Sequence, residues 1–239
     1  MSAAEPDFGG AGRPLAAVFL DGEYGDPSWY RALAERAGVV LAADGGARFL
    51  ISIGVTPDAV VGDFDSLSEG DAARLSADGV ELLRHPVRKD VTDGELAVGE
   101  ALRRGAGEIA LAGALGALDH TLGHLAILRR LAARGVAARL AAPQLTATVL
   151  ISPAAVALHV AAGTRVSLVA MAGDATVTLS GLDYPLDRGV LPADACLGLG
   201  NHAAGSGDVC IVLHDGITAV LVECGDVAFA RFEAQGEGG

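Results

Sequence analysis

The stretch Ala59-Val60-Val61-Gly62-Asp63-Phe64-Asp65-Ser66 joins a short apolar run to a polar cluster. Such a run is typical of a strand buried on both faces, and the polar cluster marks its carboxyl end. Two other runs end in the same way, at Asp44-Gly45-Gly46 and at the loop from Gly113 to His120. In a parallel sheet these ends meet at one edge, where ligands bind. The sequence therefore predicts an α/β fold with its site at that edge.

Strand and helix signals alternate through the first 147 residues. Strands are predicted at 15–20, 39–43, 58–62, 80–84, 108–112 and 137–141, with helices near 28–36, 46–53, 69–76, 93–104 and 121–134. This alternation indicates an N-terminal α/β domain, residues 1–147, with a mainly parallel sheet. Residues 148–239 carry β-rich runs at 156–160, 165–170, 175–179, 208–213 and 217–222, separated by Gly and Asp turns. They predict an all-β C-terminal domain in which antiparallel strands form a sandwich-like or a barrel arrangement.

The composition excludes several classes of function. The chain has 239 residues, 51% of them hydrophobic, and a formal net charge of −13. Nucleic acids and anionic membranes favour clustered Lys and Arg, so neither is an expected partner. No apolar run approaches the ~20 residues that span a bilayer. We expect a soluble cytoplasmic protein with reduced cysteines.

Asp63 and Asp65 are two residues apart. If the strand conformation continues past Gly62, both carboxylates face one side and Phe64 faces the other. Two carboxylates held close need a cation or a proton, and Mg²⁺ prefers such oxygen ligands together with substrate phosphates. From the residues alone, a solvated turn in which Asp65 or Ser66 caps the next helix is an equal alternative.

A second cluster, from Lys89 to Glu95, precedes a predicted helix. Thr92 and Glu95 fit a capping box, and Asp93 suits a helix N-terminus. A cap does not explain Lys89, which is the only lysine in the chain. An ammonium beside Asp90 and Asp93 favours a site for phosphate and magnesium.

The third cluster, Gly113 to His120, is a weaker signal. Its glycines let the backbone approach a ligand closely, but Asp119 can equally cap the following helix. His120 and His124 have the i, i+4 spacing that permits metal binding. Without a third ligand, surface or packing roles are favoured for both.

Taken in order, these clusters resemble the thiamine pyrophosphokinase family. The likeness rests on Gly62-Asp63-Phe64-Asp65-Ser66 followed by Lys89-Asp90-Val91-Thr92-Asp93, with further matches at 43–47, 113–122, 181–186 and 200–201. The resemblance implies a homodimer that transfers the pyrophosphoryl group of ATP to the hydroxyl of thiamine, with Mg²⁺ as cofactor and AMP as the second product.

The resemblance also implies roles for individual residues. Catalysis falls to Asp63, Asp65, Asp90 and Asp93, and magnesium binding to Asp63, Asp65 and Asp93. ATP would lie beside Asp44, Gly45, Arg48, Lys89, Thr92 and Asp119. Thiamine would lie beside Asp119, Tyr184, Gly200 and Asn201.

Three positions depart from the family pattern. A common G-G-R-x-D-H motif is one residue shorter here and lacks its arginine, a usual Ser-Asn pair is Gly200-Asn201, and a frequent Asn is His124. A lost phosphate-facing arginine would remove a contact worth roughly 1.5–3 kcal/mol. Lys89, Arg48 or a partner-chain arginine could compensate. A paralogue that uses another alcohol, and a silent module that binds nucleotide or thiamine diphosphate, stay open as alternatives.

Overall fold

The computed structural model describes residues 14–86, 90–224, 227 and 229–231. These residues divide into two compact units. One unit contains residues 14–127 and 135–143, and the other contains residues 128–134 and 144–231.

The first unit is an α/β unit, as the sequence predicts. Its described strands are β1 (Leu15–Phe19), β2 (Val39–Ala43), β3 (Ala59–Gly62), β4 (Glu81–Arg84), β5 (Glu108–Ala112) and β6 (Ala137–Ala142). Its described helices are α1 (Pro27–Arg36), α2 (Gly46–Ser52), α3 (Glu69–Ala77), α4 (Asp93–Arg103) and α5 (Leu118–Ala133), whose last residues belong to the other unit. The strands lie in the order β6-β5-β1-β2-β3-β4 and all pair in parallel.

Helices cover the central strands because those strands are apolar on both faces. All four residues of β3 are buried, as a strand between two helical layers requires. Phe19 of β1 packs with Tyr30 of α1 and Leu50 of α2 in one cluster. Helix α4 contacts β1, β2 and β3, and its buried side includes Ala97 and Ala101, which are small enough for close approach.

The strand order changes direction between β1 and β5. In open parallel sheets, ligands bind beyond the strand ends near such a point. Here the loops that follow these two strands are joined, because the Glu23 amide donates a hydrogen bond to the Leu115 carbonyl at 2.8 Å. The open part of this edge therefore lies over β2 and β3, whose loops carry the predicted acidic clusters.

The second unit is antiparallel and β-rich. Its described strands are β7 (Leu145–Ile151), β8 (Ala154–Val160), β9 (Arg165–Ala170), β10 (Ala175–Ser180), β11 (Leu186–Leu191), β12 (Asn201–His202), β13 (Gly207–Asp215), β14 (Ile217–Val222) and β15 (Ala230–Arg231). They form two rows, β12-β9-β14-β7 and β11-β10-β13-β8-β15. Side chains from both rows, such as Val166, Val220, Val177 and Ile211, share one core. This arrangement confirms the predicted sandwich-like fold.

Strand β7 is the largest addition to the predicted elements. The predicted domain boundary, between residues 147 and 148, falls inside β7, which pairs with β14 from Thr146 to Ile151. The short strands β12 and β15 carry too few residues for a recognisable pattern. Within the described residues, no helix has the length and apolar character needed to cross a membrane.

Gly113 provides a test of how the loops at this edge are packed. It has a φ of +64°, and an added Cβ would collide with the Tyr24 ring and lie 2.7 Å from the Leu20 carbonyl oxygen. Gly105 has a φ of +83° but open space around the same position. We expect Gly105→Ala to lower the free energy of unfolding by about 1 kcal/mol and Gly113→Ala by roughly 2–4 kcal/mol. Urea unfolding measures both, and equal losses would contradict the packing described.

Candidate metal and nucleotide site

Three carboxylates meet at the carboxyl ends of β2 and β3. Asp44 follows β2 directly, while Asp63 and Asp65 follow β3. One carboxylate oxygen from each lies within 4.8 Å of the others. Because β2 and β3 are parallel neighbours, their ends come to the same edge, and this brings together residues 19 and 21 positions apart in sequence.

The Asp63–Asp65 segment is a turn and not the extended segment that the sequence analysis considers. Strand β3 ends at Gly62, and Phe64 has a left-handed φ of +66°. The Asp65 amide donates a hydrogen bond to Asp63 Oδ1 at 3.1 Å. Phe64 is buried, so the turn still directs its ring into the core. The alternative of a helix cap at Asp65 or Ser66 is wrong, because Ser68 caps α3.

Asp44 is half-buried, and its Oδ1 atom is fully buried. Its backbone has a φ of +40° and is held by hydrogen bonds from its amide to the Val61 carbonyl and from the Ala47 amide to its carbonyl, each 3.0 Å. Among the described residues, its buried Oδ1 has no hydrogen-bond partner of normal geometry, and neither has the hydroxyl of Ser66. A buried carboxylate oxygen without a partner is costly unless a proton or a cation satisfies it.

The surroundings raise the pKa of Asp44. Burial is the largest cause, and the negative charges of Asp65, Asp63 and Asp93 add to it, while the nearby Ser66 side chain opposes the shift. Each of these carboxylates makes ionisation of Asp44 less favourable. A divalent cation would reverse this effect, because it would neutralise the same charges.

Asp93 approaches the cluster from the start of α4. Gly62 makes this possible, since an added Cβ there would lie 3.1 Å from Asp93 Oδ1 and 3.2 Å from the Cβ of Asp44. The predicted capping box is present: the Glu95 amide donates to Thr92 Oγ1 at 3.2 Å, and the Thr92 amide donates to Glu95 Oε2 at 3.0 Å. The predicted magnesium ligands are Asp63, Asp65 and Asp93, whereas the close group consists of Asp44, Asp63 and Asp65. Asp93 lies next to this group.

The remaining residues of the second cluster are less informative. Asp90 is exposed and does not belong to the close group of three carboxylates. Lys89 lies outside the described residues. Its proposed contact with phosphate stays a prediction.

Asp21 is a neighbour that sequence reasoning missed. Its Oδ1 lies 3.4 Å from Arg48 Nη2, and both side chains are more than half exposed. Gly45 is buried against the same carboxylate, because an added Cβ would collide with it. The signal was available, since Asp21 follows the first apolar run as Asp44 follows the second. Arg48 therefore lies at the edge that carries Asp44, Asp63 and Asp65, which we call the acidic edge, and it is paired there with Asp21.

The loop after β5 is anchored by histidine. His124 Nδ1 lies 2.8 Å from the Ala114 carbonyl oxygen, and burial lowers the pKa of His124. The neutral ring therefore donates through Nδ1, which agrees with a packing role. Helix α5 begins at Leu118, so Asp119 is in its first turn and is not its cap. Asp119 is exposed, and its Oδ1 accepts a hydrogen bond from the His120 amide at 2.9 Å.

In the second unit, Asn201 organises the loop that carries Tyr184. Its buried Oδ1 accepts hydrogen bonds from the amides of Tyr184 and His202, each 3.0 Å, and its Nδ2 donates to the Tyr184 carbonyl at 2.8 Å. The Tyr184 side chain itself is 73% exposed. Gly200 has a φ of +72°, which explains why glycine suits this position better than the serine of the family pattern.

Comparison with known proteins agrees with the fold. The family model described as "Thiamin pyrophosphokinase, catalytic domain" matches residues 30–140. A thiamine pyrophosphokinase structure from Bacillus subtilis has a TM-score of 0.76 at 22% identity and covers 88% of this chain and 99% of that chain. One from Geobacillus thermodenitrificans has 0.74 at 25% identity, with 87% and 97% covered. One from Candida albicans has 0.75 at 14% identity, with 89% of each covered. A search of curated protein sequences found no significant match.

The raised pKa of Asp44 predicts that Asp44→Asn stabilises the metal-free protein. Asn keeps the shape and tolerates a left-handed backbone, while the repelled charge is lost. Because the folded state holds this proton more tightly than the unfolded chain, the wild type loses stability as pH rises from the ordinary value of 3.8 through the raised pKa. We expect a higher urea midpoint for Asp44→Asn at about pH 8 and a smaller difference at about pH 3.

Asp187→Asn is the matched control, since Asp187 is an exposed aspartate of the second unit. It removes one negative charge without touching the cluster. If Asp44→Asn raises the urea midpoint no more than this control, or equally at both pH values, then repulsion between Asp44 and the neighbouring carboxylates does not destabilise the metal-free protein.

Proposed function

We propose that the chain is an enzyme of the thiamin pyrophosphokinase family and that it transfers the pyrophosphoryl group of Mg-ATP to thiamine. In this reaction the thiamine hydroxyl oxygen bonds to the β-phosphorus of ATP, and the bond between that phosphorus and the α,β-bridging oxygen breaks. AMP leaves, the hydroxyl proton is lost, and thiamine diphosphate is formed.

The convergence of Asp44, Asp63 and Asp65 carries this proposal. Three carboxylates within 4.8 Å form an all-oxygen donor set that suits Mg²⁺, and one buried oxygen of the set has no hydrogen-bond partner among the described residues. Bound magnesium would supply neutralisation of the polyphosphate charge. The chain contributes the placement of the carboxylates, fixed by the end of β2 and by the turn after β3. Asp93, next to Asp44, and Asp90 are further candidates for shaping the site.

We propose that the nucleotide lies along the same edge. Gly45 is buried there, and Arg48 is exposed beside it, where its guanidinium can exchange Asp21 for a phosphate oxygen. Thr92 fixes the start of α4 and so the position of Asp93. Lys89 remains a predicted phosphate contact from the family resemblance.

The thiamine contacts are proposed from the resemblance, and the second unit adds one restriction. Asn201 already makes three hydrogen bonds to backbone groups, so one of its amide hydrogens is left for a ligand. We therefore propose that Asn201 mainly holds the Tyr184 loop in place. Asp119 and Tyr184 are each exposed, and both stay predicted contacts of the acceptor from the family resemblance. The homodimer and the cytoplasmic location stay predictions.

A related enzyme that uses another alcohol is the second candidate. The observation that favours it is the loop from Gly113 to His120, which lacks the arginine of the family motif. The clustered carboxylates suit either acceptor, because they act on the nucleotide. The match to a catalytic-domain model disfavours the silent module.

We predict that purified protein with Mg-ATP and thiamine forms AMP and thiamine diphosphate in equal amounts. Asp65→Asn should lower kcat roughly 100-fold or more, because the turn loses one of its metal-facing charges. Chromatographic separation of the nucleotides and of thiamine diphosphate measures both products. Unfolding curves for the variant establish that its fold is intact.

Asp187→Asn, remote in sequence and exposed, should retain wild-type kcat. AMP formation with another alcohol but not with thiamine would establish the second candidate. Wild-type turnover by Asp65→Asn would remove Asp65 from the site.

A further inference from the structure

Arg84 lies at the carboxyl end of β4, beside the start of the acidic turn. It is in register with Gly62 of β3, and the next amide, that of His85, donates a hydrogen bond to the Gly62 carbonyl at 2.8 Å. The chain of β4 is therefore held against the residue from which the Asp63–Asp65 turn begins.

The Arg84 side chain makes a hydrogen bond and a cation–π contact to that turn. Its Nη1 donates a hydrogen bond to the Asp63 carbonyl at 3.0 Å, and its guanidinium carbon lies 4.8 Å from the centroid of the Phe64 ring. Within the described part of the chain, no carboxylate forms an ion pair with Arg84, although the protein is strongly acidic. Its side chain thus holds the backbone and the ring of the turn, and does not neutralise a particular aspartate.

The turn needs such support for two reasons. Phe64 adopts a left-handed φ of +66°, which is unfavourable for a residue with a bulky side chain. The carboxylates of Asp63 and Asp65 also lie close to each other and to Asp44, so their repulsion favours opening of the turn. A cation–π contact and a charge-assisted hydrogen bond on the same two residues oppose both effects.

We propose that Arg84 is a positioning residue for the metal site: it holds the Asp63–Phe64–Asp65 turn in the conformation that binds a divalent cation. This inference rests on the proposed function of the carboxylates. According to this inference, Arg84 strengthens cation binding, whereas its positive charge alone would weaken it. A positive charge near a cation site weakens cation binding, so removing it should strengthen binding if charge were all that mattered. Loss of positioning weakens binding instead.

The test is a titration of metal-free protein with Mn²⁺, followed by electron paramagnetic resonance, with no nucleotide present. Arg84→Met keeps the length of the side chain and its apolar contact with Phe64, but loses the charge and the donor. We expect Mn²⁺ affinity to fall about tenfold, as it does when residues that orient metal ligands are changed. Arg84→Lys keeps the charge and a hydrogen-bond donor but lacks the planar guanidinium group. Its Mn²⁺ affinity should fall less than that of Arg84→Met.

Arg74→Met is the matched control. Arg74 is exposed on α3 and pairs weakly with Asp78 at 3.9 Å, so this variant removes the same charge away from the turn. Its Mn²⁺ affinity should equal or slightly exceed that of the wild type. Unchanged or tighter binding by Arg84→Met, with wild-type binding by Arg84→Lys, would overturn the positioning role and leave the metal site standing. Absence of Mn²⁺ binding by the wild type would instead overturn the metal site itself, and this inference with it.

Discussion

Electrostatic repulsion among carboxylates is the main constraint on the first unit at the edge where β2 and β3 end. Asp44, Asp63 and Asp65 come within 4.8 Å of one another, and Asp93 adds its charge nearby. An isolated chain would separate these groups, because like charges repel one another. The fold holds them together through parallel pairing of β2 with β3 and through Gly62, which leaves room for Asp93 beside Asp44.

Backbone strain is concentrated at the same place. The described residues other than glycine with positive φ are Asp44, Phe64 and Arg188, and two of these three form the acidic edge. Strained backbone of this kind persists where surrounding contacts over-determine it, and it is common at functional sites. Here those contacts are the hydrogen bonds around Asp44, the burial of Phe64, and the hydrogen bond and cation–π contact made by Arg84. The strained backbone thus coincides with the acidic cluster for which we propose cation binding.

Much of this could be predicted from the sequence, and the failures have physical causes. Short apolar runs that end in Asp or Gly located the strands and their carboxyl ends, so Asp44, Asp63 and Asp65 were candidates from the start. The turn at Phe64 was not predictable, because a left-handed phenylalanine contradicts its own local preference and depends on tertiary contacts. Arg84 was hidden for a related reason: its partners are a carbonyl and a ring, which leave no charge pattern. Strand β7 was missed because the predicted boundary between the two domains falls inside it.

We propose that the acidic edge receives the nucleotide through a divalent cation. Calorimetric titration of ATP into the protein, once with excess Mg²⁺ and once with a chelator, tests it directly, provided that thiamine is left out so that no turnover occurs. We expect measurable ATP binding with Mg²⁺ and a loss of binding with the chelator, because four clustered aspartates would then repel the polyphosphate. Equal ATP affinity under the two conditions would contradict it.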